Sequence, residues 1–297
     1  MTLESAVKDR PEDRNVRVRM LYAPVNASDL IPVTGAYRHR IALPQIAGYE
    51  GVGIVTEAAP VHSHLIGHRV LPLRGEGTWQ NYVDCPAALV VPVPNHIENT
   101  CAARGYINPV AAWLMLRHFS PLGKHVLITA AGSDCALHLG KWAQSAGALS
   151  VTGIHRSAVH ASKLEKNGIY AVAESNAEAI RHYAARASIV YDATGGPLAE
   201  LILSEMPRSG NFISYGLLSG QVFRTQSDQP KMHWFHIRQY LAAMDTSEWQ
   251  KMFIEIWPML CLHEHSGVRI FQLSDWQAAI AAYREPGRIY KPLIAFS

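Results

Sequence analysis

The chain has 297 residues, of which 48% are hydrophobic and 17% are charged, and its formal net charge is +3. This length predicts about two domains, and the composition is that of a soluble globular protein with a sizeable core. The small net charge excludes the strong basic balance that a nucleic acid or an anionic membrane surface would require.

The cysteines and the N-terminal sequence narrow the class further. Cys85, Cys101, Cys135 and Cys261 lie far apart and form no C-x-x-C pair, which predicts reduced thiols and no clustered zinc site. The N-terminal sequence MTLESAVKDRPEDR has no apolar core, and no apolar run reaches the roughly 18 residues of a membrane span. We therefore expect no signal peptide, no transmembrane helix and a cytoplasmic protein.

The first third of the chain has the pattern of β-structure. Short segments alternate between apolar and polar residues, with Pro and Gly between them, which is typical of half-buried strands in a small barrel. The predicted strands cover residues 16–25, 51–57, 69–73 and 80–83.

The pattern changes near residue 104, where short apolar β segments begin to alternate with helical segments. Such alternation predicts βαβ units and a doubly wound parallel sheet. The predicted strands are residues 124–130, 150–154, 188–192 and 210–215, and the predicted helices are 111–119, 135–146 and 158–167. The tail, with strands at 268–272 and 290–296, is expected to complete the first domain. The domains are thus 1–104 plus 241–297, and 105–240.

The turn after the first strand of the doubly wound domain is a candidate phosphate site. Gly132, Ser133, Asp134 and Cys135 lead into a helix whose N-terminal N–H groups suit a diphosphate. Gly132 is the only glycine, whereas G-x-G-x-x-G is common at such turns. An ordinary strand-to-helix turn would have the same sequence character.

The end of the second strand indicates which dinucleotide is bound. His155, Arg156 and Ser157 stand where NAD enzymes usually carry an acid for the ribose 2′-hydroxyl. A base at this position accommodates a 2′-phosphate and favours NADPH. The alternative is a solvated loop arginine.

Several motifs together resemble the medium-chain dehydrogenase/reductase superfamily. They occur in the family's order in residues 23–30, 34–37, 47–53, 77–83, 106–113 and 213–220. The resemblance implies a GroES-like, β-rich catalytic domain that is interrupted by a Rossmann domain, with the active site in the cleft between them. The overall class is α/β.

The same segments point to the zinc-free branch of the superfamily. Zinc members carry a Cys in the first segment and a His before the Glu of the glycine-rich one. This chain has Ser28 or Asp29 in the first region and Tyr49 in the second, and it lacks a four-cysteine lobe. The resemblance therefore implies a relative of quinone reductases and 2-enoyl thioester reductases.

Tyr37 separates these two groups of enzymes. In 2-enoyl thioester reductases a tyrosine in this Gly-x-Tyr motif lies beside the nicotinamide and is assigned as the proton donor. After hydride addition at the β-carbon, a phenol could protonate the enolate at the α-carbon. The alternative is an aromatic residue in a surface turn.

Other family positions carry over residue by residue. The resemblance assigns Asn108 and the segment Tyr215, Gly216, Leu217 and Leu218 to the nicotinamide end, Phe235 and His236 to the substrate pocket, and Lys291 to the cofactor. Asn108 could instead cap a helix, Tyr215 could be a core aromatic residue, and Lys291 could be a solvated edge lysine.

The sequence departs from the family in two further places. The family normally has one or two strands before the first strand found here, and a tryptophan of the substrate pocket is replaced by His236. A polar pocket is therefore expected. Pairs and triplets of histidines are interpreted as surface residues without metal, at His62, His64 and His68, at His233 and His236, and at His263 and His265.

These inferences predict an NADPH-dependent reductase of an activated C=C bond, with a 2-enoyl thioester as substrate. The alternatives are an NADPH:quinone oxidoreductase and a non-catalytic NADPH-binding protein. A small molecule is the expected substrate, with no nucleic acid, membrane or metal partner. A homodimer is expected because Rossmann sheets of this superfamily often pair at their edges.

Overall fold

The computed structural model describes residues 1–5, 8–32, 42–225, 230–262 and 265–296. The chain divides into two compact units. The first consists of Met1–Ile107, Met244–Pro258 and His265–Ser297, and the second of Asn108–Ala243 and Met259–Glu264.

The described residues form thirteen strands and ten α-helices. The strands are Asn15–Pro24 (β1), Val52–Ala58 (β2), Arg69–Leu71 (β3), Tyr82–Pro86 (β4), Val91–Pro92 (β5), His125–Ile128 (β6), Ser150–His155 (β7), Tyr170–Ala173 (β8), Ile189–Asp192 (β9), Asn211–Ser214 (β10), Lys231–Trp234 (β11), Gly267–Gln272 (β12) and Tyr290–Ala295 (β13). The helices are Ala27–Leu30 (α1), Asn99–Ala102 (α2), Ile107–His118 (α3), Asp134–Ser145 (α4), Ala161–Lys166 (α5), Ala177–Ala184 (α6), Gly196–Glu205 (α7), Ile237–Leu241 (α8), Thr246–Leu260 (α9) and Trp276–Arg284 (α10).

The first unit is built around β1. This strand pairs antiparallel with β2 and β4 and, at its other end, with β13, in a sheet ordered β12-β13-β1-β2-β3-β5. The alternating residues Val16, Val18 and Met20 are fully buried, which explains the period of two in the sequence. The pairing of β13 with β1 therefore places the C-terminal strand in the same sheet as the N-terminal strand.

The second unit is a parallel sheet in the order β11-β10-β9-β6-β7-β8. The first strand of this unit, β6, lies between β7 and β9, so the strand order reverses on either side of it. In such sheets, ligands bind outside the carboxyl ends of the strands at this switch point. The predicted class, a doubly wound parallel sheet inserted into a β-rich domain, is confirmed.

Three strands were not predicted: the two-residue β5 of the first unit, and β8 and β11, which lie at the edges of the parallel sheet. β8 and β11 contain mostly exposed or half-buried residues, so neither has the continuous apolar run of a buried parallel strand.

The structure also assigns Met259–Glu264 to the second unit, where the Met259 carbonyl accepts the indole N–H of Trp142 at 2.9 Å. None of the helices that the structure describes has the length and apolar character needed to cross a lipid bilayer.

Candidate active site

The turn between β6 and α4 contains the predicted phosphate-binding residues. Ala130 has a left-handed backbone with φ of 49°, a conformation that usually favours glycine. Its carbonyl accepts the N–H of Ser133 at 2.9 Å and closes the turn. Ser133 Oγ accepts the N–H of Ala136 at 3.3 Å, so Ser133 caps α4 and Asp134 is its first helical residue. The turn therefore has a glycine-like backbone at Ala130.

Gly132 lies against an imidazole ring. A Cβ at Gly132 would stand 2.5 Å from Cδ2 and 2.8 Å from Nδ1 of His160, which is too close for ordinary contact. His160 ends the short 3-10 helix that follows β7. Glycine at 132 is therefore explained by the packing of His160. The predicted role of Gly132, to let phosphates approach the backbone, stays a prediction.

The substitution Gly132→Ala tests this packing. We expect it to lower the free energy of unfolding by about 1–3 kcal/mol, because the new methyl group forces the imidazole to move. In a His160→Ala background the same substitution should cost less than about 0.5 kcal/mol. Urea denaturation of the four proteins measures both costs. Equal costs in the two backgrounds would show that His160 does not limit the space at Gly132.

Asp192, the last residue of β9, is hydrogen-bonded to the start of the turn between β6 and α4, which is here called the phosphate turn after its predicted role. Its carboxylate accepts the Thr129 hydroxyl at 2.7 Å and the N–H groups of Thr194 and Gly195 at 3.1 and 2.9 Å. Thr129 Oγ1 in turn accepts the N–H of Ala193 at 2.9 Å. Burial raises the pKa of Asp192, and these hydrogen bonds oppose the shift. Asp192 thus fixes the loop after β9 beside the start of the phosphate turn.

Tyr215 directs a buried hydroxyl toward the same turn. This hydroxyl makes no hydrogen bond of standard geometry within the described part of the chain, although Cys135 and Ser133 lie close enough to interact with it. Burial, followed by the proximity of Cys135, raises the pKa of Tyr215 well above its ordinary value. The thiol of Cys135 donates weakly to the Asn108 carbonyl at 3.8 Å. The structure therefore brings together four predicted residues, Asn108, Ser133, Cys135 and Tyr215.

The segment after Tyr215 folds back on the loop after β9. The N–H of Leu218 donates to the Ala193 carbonyl at 2.8 Å, and a Cβ at Gly216 would stand 3.0 Å from that oxygen. Leu217 and Leu218 are exposed. This close approach explains the glycine and leaves two apolar side chains accessible at the carboxyl edge of the sheet.

His155, Arg156 and Ser157 follow the neighbouring strand, β7. The Ile154 carbonyl, one residue earlier, accepts the N–H of Ala131 at 2.9 Å, which fixes this segment beside the phosphate turn. His155 is 5% exposed, and its Nδ1 has no partner among the residues that the structure describes. Arg156 is exposed. The buried Nδ1 of His155 and the exposed guanidinium of Arg156 thus lie beside the turn.

The two residues predicted for the substrate pocket have different surroundings. Phe235 is buried, and its ring stacks on Tyr240 with centroids 4.9 Å apart. His236 is exposed and precedes the first residue of α8. Their predicted contact with substrate stays a prediction.

In the first unit, Tyr37 lies outside the described residues, whereas Lys291 is well defined. The Lys291 ammonium is 4% exposed and donates to Oδ1 of Asn26. Asn26 Nδ2 donates in turn to Glu50 at 2.7 Å. The predicted contact of Lys291 with the cofactor stays a prediction. Sequence reasoning gave no role to Asn26 or Glu50, although both stand in family motifs.

The histidines that cluster in the sequence have separate surroundings in the structure. Within the described ranges, no three His, Cys, Asp or Glu side chains are placed so that they could hold a metal ion. His64 and His68 are exposed, and His233 Nε2 lies 2.9 Å from Asn211 Oδ1. His265 lies 3.3 Å from the Cys101 thiol, while its neighbour His263 is outside the described residues.

Comparisons with known proteins agree with this architecture. Residues 12–95 match the family model of the alcohol dehydrogenase GroES-like domain. A protein from Bacillus thuringiensis named as an NADPH:quinone reductase is 32% identical, with a TM-score of 0.91, and the match covers 98% of this chain and 93% of that one. Escherichia coli quinone oxidoreductase, solved with NADPH, has the same fold, with a TM-score of 0.87 at 20% identity over 98% of this chain and 94% of that one.

A curated relative comes from a different group of enzymes. The mitochondrial enoyl-[acyl-carrier-protein] reductase of Caenorhabditis elegans is 32% identical over 133 residues, which are 44% of this chain and 39% of that enzyme. The chain thus spans well under two thirds of that enzyme.

The chain thus combines a GroES-like unit with a parallel-sheet unit, which is the fold of two-domain dehydrogenases. The chain belongs to the medium-chain dehydrogenase/reductase superfamily, as its motifs predicted.

Proposed function

We propose that this protein is an NADPH-dependent oxidoreductase that reduces the activated C=C bond of a 2-enoyl thioester. The observation that carries the proposal is the pair of buried, unpartnered polar atoms beside the phosphate turn, Tyr215 Oη and His155 Nδ1. Buried polar groups normally have partners, so two unpartnered groups among the described residues at a switch point favour a bound polar ligand.

The residues at this edge fit a dinucleotide phosphate. The N-terminal N–H groups of α4, from Ser133 to Cys135, would hold the diphosphate, and His155, Arg156 and Ser157 would hold the 2′-phosphate. Asn108 and the segment from Tyr215 to Leu218 would contact the nicotinamide end. When bound, NADPH supplies a hydride to the substrate.

Tyr37 would supply the proton in this reaction. Its hydroxyl would donate to the α-carbon of the substrate as the β-carbon is reduced. The exposed His236 would give the acyl pocket a polar wall. The identity with an enoyl-[acyl-carrier-protein] reductase supports a thioester substrate.

A quinone is the second candidate substrate. The whole-length identity with the protein named as an NADPH:quinone reductase favours it. Purified protein should first be titrated with NADPH and NADH by fluorescence, and then assayed for NADPH oxidation with crotonyl-CoA and with a benzoquinone. Absence of NADPH binding would overturn the reductase proposal and support a non-catalytic protein. Turnover of the quinone alone would replace the thioester with the quinone as substrate.

The preference for NADPH should depend on Arg156. We expect Arg156→Gln to raise the Kd for NADPH by about 10- to 100-fold, because a hydrogen bond to a charged group contributes about 1.5–3 kcal/mol. The Kd for NADH, which has no 2′-phosphate, should change less than about threefold. Lys166→Gln, at an exposed position on α5, is the matched control. An equal loss for both cofactors would exclude a 2′-phosphate contact.

A further inference from the structure

Four buried polar side chains meet in the first unit. Asn26, Asp29, Glu50 and Lys291, here called the buried quartet, are each less than 5% exposed. Lys291 donates to Asn26 Oδ1, and Asn26 Nδ2 donates to Glu50 Oε1 at 2.7 Å. The Asn26 amide therefore connects the only lysine of the quartet to one of its two acids.

The two acids hold backbone groups from distant parts of the chain. Asp29 accepts the N–H of Asn26 at 2.7 Å with one oxygen and the N–H of Tyr49 at 3.0 Å with the other. Glu50 Oε2 accepts the N–H groups of Tyr106 and Ile107 at 3.0 and 2.7 Å. Each contact requires a carboxylate oxygen as acceptor.

These contacts lie at the borders of the segments assigned to chemistry. The hydrogen bond from the Tyr49 N–H to Asp29 connects the two residues that border segment 30–48. This segment includes Tyr37. Glu50 holds Ile107, the first residue of α3, which directly precedes Asn108. The quartet thus fixes both ends of the segment that carries the proposed proton donor.

Charge balance explains why a lysine belongs in the quartet. Two buried carboxylates without a cation would be costly to ionise. The pKa of Asp29 is raised to about 7, because burial and the neighbouring Glu50 raise it more than the N–H donors and Lys291 lower it. Burial also raises the pKa of Glu50, and Lys291 again opposes the shift.

We propose that Lys291 is a positioning residue whose buried ammonium lets Asp29 and Glu50 act as paired acceptors, and so holds the ends of segment 30–48 and the start of α3. The predicted contact of Lys291 with the cofactor stays a prediction beside this role. The catalytic part of the proposal rests on the proposed function, whereas its structural part does not.

Amide hydrogen exchange tests the structural part. In Lys291→Met, exchange at Asn26, Tyr49, Tyr106 and Ile107 should accelerate by about tenfold or more at pH 8, because their acceptors lose the cation that keeps them ionised. Lys291→Arg should restore slow exchange. Lys231→Met, on the exposed edge strand β11, is the matched control. Unchanged exchange at these amides in Lys291→Met would overturn the proposal, whether or not the protein proves to be a reductase.

The pH dependence separates positioning from general stability. Protonation of Asp29 below about pH 7 removes an acceptor, so kcat for the reductase should fall as the pH drops through this range. In Lys291→Met the midpoint of that fall should rise by about 1–3 pH units, since a neighbouring cation lowers a carboxyl pKa by that amount. KM should change little. A midpoint that stays at the wild-type pH would exclude the positioning role.

A double variant tests the charge pairing by a measurement that does not depend on activity. Asp29→Asn combined with Lys291→Met removes one charge of each sign, so the double variant should have a higher Tm than Lys291→Met alone. A double variant that melts at or below the single variant would overturn the proposed charge pairing.

Discussion

Replacing Asp192 with alanine is expected to lower the free energy of unfolding by about 3–5 kcal/mol, because each buried donor that loses its acceptor costs about 1–3 kcal/mol. The substitution leaves the Thr129 hydroxyl and the N–H groups of Thr194 and Gly195 without their acceptor in a fully buried site. Guanidinium denaturation at pH 7 measures the loss.

Thr129→Val is the matched control for this prediction. It removes one of the three contacts to Asp192 and the acceptor of the Ala193 N–H, but it keeps the carboxylate acceptors for the two other N–H groups, so its cost should be about 1–3 kcal/mol. Asp192→Ala should also weaken NADPH binding, because the turn before Ser133 loses its connection to β9. A loss of stability below that of Thr129→Val would contradict the central role of Asp192.

The fold could be predicted from the sequence where burial follows a regular period. The alternation in β1 predicted a strand at residues 16–25, and the structure has it at Asn15–Pro24 because Val16, Val18 and Met20 face the core. β8 and β11 could not be recognised in this way. Edge strands of a parallel sheet bury little, so their sequences lack the apolar run on which the prediction depends.

Sequence reasoning reached only the part of the candidate site whose residues are adjacent in the chain. The phosphate turn follows directly from a strand, a small-residue turn and a helix, all of which are adjacent in sequence. The reason for Gly132 could not be found, because the ring that fills its space belongs to His160 on the next βα loop.

The buried quartet depends on contacts that are even more distant in sequence. Lys291 and Asn26 are separated by 265 residues, and a lysine in a C-terminal strand is usually solvated. The pairing of β13 with β1 brings the two ends of the chain together. Glu50, an acid within a motif segment, was the one feature of the sequence that indicated a buried counter-charge.

Replacing Tyr37 with phenylalanine is expected to lower kcat for a 2-enoyl thioester by about 10²- to 10⁴-fold, the usual contribution of a positioned general acid. The substitution removes the phenol proton and keeps the ring, so binding of NADPH should be unchanged in a fluorescence titration. Hydride transfer to a quinone requires no proton at carbon, and quinone turnover should therefore stay within about threefold of the wild-type value.

The ratio of the two activities makes this prediction decisive, because damage to the fold or to the cofactor site would lower both together. Tyr82→Phe, at an exposed position on β4 of the same unit, is the matched control and should leave both rates unchanged. An equal loss with both substrates would assign Tyr37 to packing or to cofactor contact. An unchanged rate with crotonyl-CoA would remove the proton donor from the mechanism and leave quinone reduction as the better account of this chain.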